Sequence, residues 1–185
     1  MGTLRLTGGT LRNRSVRTPS GRAVRPTPAR VKEALFSILA SAGRLDGARV
    51  LDLFAGSGAL GFEALSRGAA HVTFVEAHKP TAAALIRTAR ELGVAERSTV
   101  VALPAERALR FVPGTFDMVF ADPPYAQPYP VAAFALLRER ALLAADAIVV
   151  YEHAAREAPP VDPAFAVTRS ERYGAVALAF MTVAA

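Results

Sequence analysis

Residues 49–68 read RVLDLFAGSGALGFEALSRG, and this stretch decides the fold class. Its first part, Val50 to Leu53, is mostly apolar, which is typical of a short buried strand. A glycine-containing turn follows, and the pattern from Ala59 to Arg67 then predicts a helix that ends at Gly68. A strand, a glycine turn and a helix in this order indicate the ligand-binding edge of a doubly wound α/β fold.

Beyond this stretch, strand and helix patterns alternate along the chain. Further strands are expected at residues 72–75, 98–103, 117–121 and 147–151, and further helices at residues 80–92, 105–111 and 130–143. Two β-rich runs, 164–172 and 175–183, flank Tyr173-Gly174 and are interpreted as an antiparallel pair. Five βα units and a terminal pair predict a Rossmann-like, mostly parallel seven-stranded sheet with helices on both faces.

The segment that precedes this alternation has a different pattern. Leu4 to Thr7 alternates, Gly8-Gly9 interrupts the alternation, and residues 11–18 resume it, which predicts a short hairpin. Thr27 as N-cap and Pro28 at the first helical position predict a helix that ends at Ala42-Gly43. We therefore expect one domain over residues 1–185, with an N-terminal extension at 1–43 and a core at 44–185.

The positive charge of the chain is concentrated in this extension. Of the 22 Lys and Arg residues, eight lie in residues 1–32, where no Asp or Glu occurs. The other 14 basic residues are outnumbered by the 16 acidic ones. A segment of this kind predicts a polyanion partner, and nucleic acid is the expected one. The expected phosphate contacts are Arg5, Arg12, Arg14, Arg17, Arg25 and Arg30.

The composition excludes several classes of protein. With 185 residues, 52% hydrophobic and 21% charged, the chain is globular rather than disordered. We find neither an apolar run of roughly 18 residues, as a membrane span needs, nor a secretory signal, so a cytoplasmic protein is expected. Cysteine is absent, and His71, His78 and His153 have no metal-ligand spacing, so no metal is expected. These three histidines are predicted at the surface or at strand ends.

The glycine turn indicates a bound cofactor, and Asp52 indicates its chemistry. Gly56 and Gly58 let the backbone approach a ligand closely, and residues 56–61 also match the dinucleotide fingerprint. A dinucleotide, however, would bring a pyrophosphate dianion next to the Asp52 carboxylate. The same carboxylate attracts the ammonium and sulfonium groups of S-adenosylmethionine, so this cofactor is favoured over NAD.

Other cofactor contacts follow from the same interpretation. Glu76, at the end of the second core strand, can accept hydrogen bonds from both ribose hydroxyls. Ala105 and Glu106 follow the third core strand, where the adenine edge would meet the protein. The expected cofactor-binding residues are Asp52, Phe54, Ala55, Gly56, Ser57, Gly58, Glu76, Ala105 and Glu106.

A second motif, Asp122-Pro123-Pro124-Tyr125, follows the apolar strand at 117–121. The Asp122 carboxylate and the Pro123 carbonyl can accept hydrogen bonds, since proline has no N–H, and the Tyr125 ring can stack on a base. Two acceptors on an exocyclic amine push its nitrogen toward tetrahedral geometry and aim the lone pair at a methyl donor. The fourth core strand should lie next to the first, so both motifs face one crevice. These residues alone do not distinguish one base from another.

The two motifs together resemble known enzymes. Residues 122–125 match the motif of amino-directed class I S-adenosylmethionine-dependent methyltransferases. Residues 25–36, residues 52–69 and the Gly8-Gly9 hairpin resemble the RsmD family of bacterial 16S ribosomal RNA guanine-N2 methyltransferases, and the resemblance covers essentially the whole chain. It implies methylation of the N2 amine of one guanine in 16S rRNA, within a small-subunit particle, with residues 122–125 as the catalytic set.

Three other functions stay open on the sequence alone. The motif at residues 122–125 also fits an amino-methyltransferase of adenine or cytosine in other RNA or in DNA, although the chain has little room for a DNA target-recognition region. A non-catalytic RNA-binding module is disfavoured by the intact Asp122 and glycine turn. An NAD oxidoreductase is disfavoured by Asp52 and by the lack of a second substrate domain.

Overall fold

The computed structural model describes residues 2–18, 28–123, 130–158 and 162–184. The strands are β1 Gly2–Arg5, β2 Ser15–Thr18, β3 Arg49–Asp52, β4 His71–Val75, β5 Ser98–Val101, β6 Phe116–Ala121, β7 Leu143–Ala154, β8 Phe165–Tyr173 and β9 Val176–Val183. The helices are α1 Ala29–Ser41, α2 Ala59–Ser66, α3 Lys79–Leu92, α4 Ala105–Ala108 and α5 Val131–Glu139. None of the described helices is long and apolar enough to span a bilayer.

Seven strands form one sheet in the order β5-β4-β3-β6-β7-β9-β8. All pairs from β5 to β7 are parallel, whereas β9 runs antiparallel to both β7 and β8. The predicted α/β fold with a mostly parallel seven-stranded sheet is confirmed. The predicted adjacency of the first and fourth core strands is also confirmed, because β3 pairs with β6 in the register Asp52 to Phe120.

Helices cover both faces of this sheet. On one face, the α1–α3 cluster contains Leu35 and Phe36 of α1, Phe62 and Leu65 of α2, and Leu85 of α3, together with Val50, Phe74, Phe120 and Val150 of the sheet. On the opposite face, the α4–α5 cluster contains Ala108 of α4 and Phe134 and Leu137 of α5, together with Leu51, Val119 and Val149. The antiparallel β1–β2 hairpin packs on the first face, since Leu6 and Val16 belong to the α1–α3 cluster.

The predicted boundary between α5 and β7 is wrong. Helix α5 ends at Glu139, four residues before the predicted end, and β7 runs from Leu143 to Ala154 rather than over 147–151. Ala141 has a left-handed backbone with φ of 49°, and the Leu142 carbonyl accepts the Phe116 N–H (2.8 Å). The chain therefore leaves the helix at the charged residues 138–140 and joins the sheet in the apolar run 141–145, which by itself does not distinguish a helix from a strand.

The ends of other elements also differ from the prediction. Residues 11–14 form the turn of the hairpin, in which Asn13 has φ of 67°, so β2 begins at Ser15. Pro28 occupies the N-cap position of α1 rather than the first helical position, and Thr27 lies outside the described residues. Strand β5 and helix α4 are each shorter than predicted, ending at Val101 and Ala108.

Candidate functional site

Four carboxylates lie at the carboxyl ends of four neighbouring parallel strands. In sheet order they are Glu76 after β4, Asp52 at the end of β3, Asp122 after β6 and Glu152 in β7. Asp52 lies opposite Phe74 and Phe120, and Phe120 lies opposite Val150. Glu76, Asp122 and Glu152 therefore lie level with one another, two residues beyond Asp52.

The four carboxylates also share one face of the sheet. Side chains two residues apart in a strand lie on the same face. The residues two positions earlier, Val50, Phe74, Phe120 and Val150, all belong to the α1–α3 cluster. This edge of the sheet is the place where doubly wound folds bind ligands, and here it carries a row of carboxyl groups suited to cationic and hydrogen-bond-donating ligands.

The glycine turn is tied to this row through Glu76. Its Oε2 accepts the Gly56 N–H (2.9 Å), and its Oε1 accepts the His78 N–H (2.7 Å). Each carboxylate oxygen has a second lone pair, so both oxygens can still accept a ligand hydroxyl. Gly58 has φ of 78°, and a Cβ there would lie 2.6 Å from Leu85 and 2.7 Å from the Phe62 ring. Glycine at 58 is thus required by both the backbone and the packing.

Asp52 is almost completely buried, with 2% of its surface exposed. Its Oδ2 accepts the Gly61 N–H in the first turn of α2 (3.0 Å). Burial raises the pKa of Asp52 to about 7, and the charge of Glu76 adds to the rise, whereas the Gly61 hydrogen bond opposes it. A carboxylate held in so poorly solvated a place gains strongly from a bound cation.

Asp122 is partly exposed at the edge of the same crevice, and Pro123 behind it is buried. Burial of the Asp122 carboxyl raises its pKa well above the usual range. The charge of Glu152 raises this pKa further, and the charge of Asp52 adds a smaller rise. Pro124 and Tyr125, the other predicted catalytic residues, lie outside the described residues. The structure therefore places Asp122 and Pro123 next to the glycine turn and leaves the other two as sequence predictions.

The remaining predicted cofactor residues lie along the same edge. Ala55 is buried and donates its N–H to the Val75 carbonyl (3.0 Å). Phe54 packs against the α4–α5 cluster, and Ser57 is half-buried. Ala105 is buried and Glu106 half-buried at the start of α4, after β5, the strand beside β4. The nine predicted cofactor residues thus converge on the carboxyl ends of β3, β4 and β5.

Comparison with known proteins identifies the family. The family model described as "Conserved hypothetical protein 95" matches residues 4–182. The chain belongs to this family. Ribosomal RNA small subunit methyltransferase D of Escherichia coli (strain K12) is 36% identical over 163 residues, which are 88% of this chain and 81% of that protein. The resemblance to the RsmD family is confirmed.

Two further relatives match over nearly their full length. YlbH of Bacillus subtilis (strain 168) is 35% identical over 180 residues, 95% of this chain and 97% of YlbH. The structure of yhhF from Escherichia coli is 32% identical and superposes with a TM-score of 0.86, covering 100% of this chain and 99% of that one. The hairpin and the core therefore both belong to the fold of the RsmD family.

In this RsmD-family chain, five of the six predicted nucleic-acid contacts are exposed arginines. These are Arg5, Arg12, Arg14, Arg17 and Arg30, whereas Arg25 lies outside the described residues. Arg14 donates to the Glu91 carbonyl (2.7 Å), and Arg17 lies 3.4 Å from the Glu91 carboxylate. Arg14 and Arg17 thus also tie the hairpin to α3.

Sequence reasoning missed the residues that fasten the hairpin to the core. Glu63 of α2 is fully buried and accepts the backbone N–H groups of Thr7 (2.9 Å) and Gly8 (2.8 Å). It also pairs with Lys32 (3.0 Å) and Arg67 (2.8 Å). Burial alone would raise the pKa of Glu63, but the hydrogen bonds from Thr7 and Arg67 and the charge of Lys32 hold it below the usual value.

One of these residues, Lys32, also corrects an expectation about charge. Lys32 is 4% exposed and donates to the Arg5 carbonyl (2.8 Å), so it does not belong to the basic surface of the extension. Ser66 accepts the Leu11 N–H on its hydroxyl (2.9 Å), and its carbonyl accepts the Thr10 N–H (2.7 Å). The sequence signal for this contact between the hairpin and α2 is the Gly8-Gly9 pair, because a Cβ on Gly9 would overlap the Ser66 carbonyl.

His153 lies near the end of β7, which agrees with the strand-end alternative of the prediction, and its side chain is buried, with 4% exposed. Its ring stacks on Tyr151 with centroids 5.7 Å apart. Glu152, between them, was also missed by sequence reasoning, since no motif surrounds it. Only the pairing of β6 with β7 brings Glu152 beside Asp122.

Proposed function

We propose that this protein transfers a methyl group from S-adenosylmethionine to the N2 amine of a guanine in 16S rRNA. The observation that carries the proposal is the placement of Asp122 and Asp52 on the paired strands β6 and β3, at one edge and on one face of the sheet. Membership of the RsmD family supports a ribosomal RNA substrate, since the relative from Escherichia coli is named for the small-subunit RNA.

The residues at the glycine turn fit this cofactor. S-adenosylmethionine presents a sulfonium, an ammonium and ribose hydroxyls, and the chain offers the buried Asp52 carboxylate and the half-buried Glu76 carboxylate as acceptors. A phosphate-bearing cofactor would meet repulsion at the same place. When bound, S-adenosylmethionine supplies an electrophilic methyl group with a good leaving group.

Asp122 and Pro123 orient the nucleophile in this proposal. Their carboxylate and carbonyl oxygens accept the two N–H bonds of the amine and direct its lone pair into the crevice. Asp122 then receives the proton that the nitrogen loses, and its raised pKa suits that role. Before the methyl transfer, Asp122 acts as an acceptor in its ionised form. Hydrogen-bond donors of the base and a cation bound at Asp52 both favour this form. In this proposal Tyr125 stacks on the base, as its place in the motif predicts.

The exposed arginines of the hairpin and of α1 bind the RNA backbone. Arg5, Arg12 and Arg30 are directed to solvent on the same side of the molecule as the α1–α3 cluster. Phosphate contacts of this kind position a substrate without reading its sequence. Base selection therefore belongs to the crevice.

The test is transfer of labelled methyl from S-adenosylmethionine to small-subunit particles, free 16S rRNA and DNA, followed by nucleoside analysis. We expect N2-methylguanosine in the small-subunit RNA, and loss of transfer by roughly 10²-fold to 10³-fold in Asp122→Ala, with cofactor binding retained. Asp146→Ala, an exposed carboxylate change, is the matched control. Methylated adenosine or cytidine, or label in DNA, would contradict the base or the substrate, and RNA binding without transfer would favour the binding module.

A further inference from the structure

Glu152 is a buried carboxylate at the base-binding end of the crevice. It is 4% exposed and lies in β7, the strand next to β6. The register pairs Phe120 with Val150 and Ala121 with Tyr151, so the next step puts Glu152 opposite Asp122. Neighbouring strands lie about 4.8 Å apart, and both side chains are on the face of the α1–α3 cluster.

Glu152 has a second carboxyl group, that of Asp122, as its neighbour in the sheet. Its charge raises the pKa of Asp122, and more so than the charge of Asp52 does. On its other side, the paired residue in β9 is Leu178, a member of the α1–α3 cluster. An apolar side chain at 152 would extend that cluster without placing two buried like charges side by side. The position of this carboxylate, beside Asp122 at the edge of the sheet where doubly wound folds bind ligands, indicates a role in ligand binding.

The chemistry of guanine supplies that role. The Watson–Crick edge of guanine presents three hydrogen-bond donors, which are N1–H and the two N2–H bonds. Asp122 and the Pro123 carbonyl account for two acceptors, and a third acceptor beside Asp122 would complete the set. Adenine N1 and cytosine N3 at the equivalent place are acceptors, so a carboxylate would repel them.

We propose that Glu152 determines base specificity by accepting the N1–H of the target guanine. This inference rests on the proposed guanine-N2 methylation and adds the residue that selects guanine among the bases with an exocyclic amine. Glu152 thereby distinguishes guanine from adenine and cytosine, which the Asp122-Pro123 pair does not.

The experiment compares guanine with 2-aminopurine at the methylated position of a ligated 16S rRNA fragment. 2-Aminopurine keeps the N2 amine, but its N1 carries no hydrogen. For the wild type we expect kcat/KM on guanine to exceed that on 2-aminopurine by at least about 10-fold, because a site built for a donor rejects a base without one. In Glu152→Gln, the amide can donate to the bare N1, so the ratio should fall to near one or invert. 2-Aminopurine also lacks the O6 of guanine. This difference is the same for the wild type and the variant, so it cancels when their substrate ratios are compared.

Controls separate specificity from folding and from the proposed function. The ratio of two substrates does not depend on the fraction of active enzyme, and Glu152→Asp, which keeps the charge, should retain the preference. Glu96 is exposed and lies just before the amino end of β5, so Glu96→Gln is the matched control for the loss of one negative charge. If the wild type makes no N2-methylguanosine, the proposed function fails. If it does, and Glu152→Gln keeps the wild-type ratio, only the role of Glu152 is wrong.

Discussion

Asp52 is a residue whose protonation differs between the folded and the unfolded chain. In the fold its pKa is raised from 3.8 to about 7, with burial as the main cause. The folded protein therefore holds a proton that the unfolded chain releases between these pH values. Because the folded state then binds more protons, the stability of the ligand-free protein falls as the pH rises from about 4 to 7.

Asp52→Asn should remove this dependence. Asparagine has nearly the same shape, and its carbonyl oxygen can still accept the Gly61 N–H. We expect the variant to gain stability over the wild type as the pH rises, by up to about 1.4 kcal/mol per pH unit, while its affinity for S-adenosylmethionine falls. Urea unfolding at pH 5 and pH 8, with cofactor titration beside it, measures both quantities. An unchanged stability difference between the two pH values would show that Asp52 is already ionised in the fold.

At the scale of elements, the hairpin and α2 act as one unit. Helix α2 begins at the glycine turn, where the Gly61 N–H reaches Asp52, and its last turns carry Glu63 and Ser66, which hold the hairpin. In the proposed function, the element that meets the cofactor at one end therefore positions, at the other end, the arginines proposed to bind RNA. Breaking the second attachment should leave the first intact.

Gly9→Ala tests whether the two attachments of α2 are independent. The new methyl group would overlap the Ser66 carbonyl, in a backbone with φ of 74°, so the hairpin must move away from α2. We expect RNA affinity to fall about tenfold or more, equivalent to about 1.4 kcal/mol, with S-adenosylmethionine affinity unchanged. Gly43→Ala is the matched control, since Gly43 has φ of 66° and open space around it. Equal RNA affinity in the two variants would contradict the anchoring role of the Gly9 contact.

The sequence predicts the existence of the elements better than it predicts their ends. The periodicity of α1 to α3 and of the parallel strands is local, so their existence followed from residue order. The end of α5 did not, because the apolar run 141–145 that follows Arg138, Glu139 and Arg140 suits a helix as well as a strand. The contact between residues 116 and 142 that starts β7 joins distant parts of the chain.

At the scale of the whole molecule, the uneven charge predicts a salt-dependent interaction with RNA. We expect the logarithm of RNA affinity to fall linearly with the logarithm of salt concentration, and Arg12→Ala to reduce the slope by about one. Arg14→Ala should reduce it less, because Arg14 already donates to the Glu91 carbonyl. Arg110 is exposed and follows α4 on the opposite face, so Arg110→Ala should leave the slope unchanged. Equal slopes for all three variants would argue against binding through the hairpin.

The sequence by itself determined the order of strands and helices, the glycine turn, and the placement of Asp52, Glu76 and Asp122 at strand ends. It could do so because periodicity and turn chemistry are properties of neighbouring residues. Within the site it also offered candidate acceptors for a cofactor and for an amine, since each lies at the end of a recognisable strand or directly after it.

Only the tertiary structure decided which distant residues meet. Glu152 lies beside Asp122 because β7 pairs with β6, and Glu63 lies buried among Lys32, Arg67 and the hairpin because α1, α2 and β1 pack together. Charged residues are ordinarily exposed, so sequence alone assigns Lys32 and Glu63 to the surface. Their burial depends on partners supplied by other elements, which compensate the loss of water with hydrogen bonds and opposite charge.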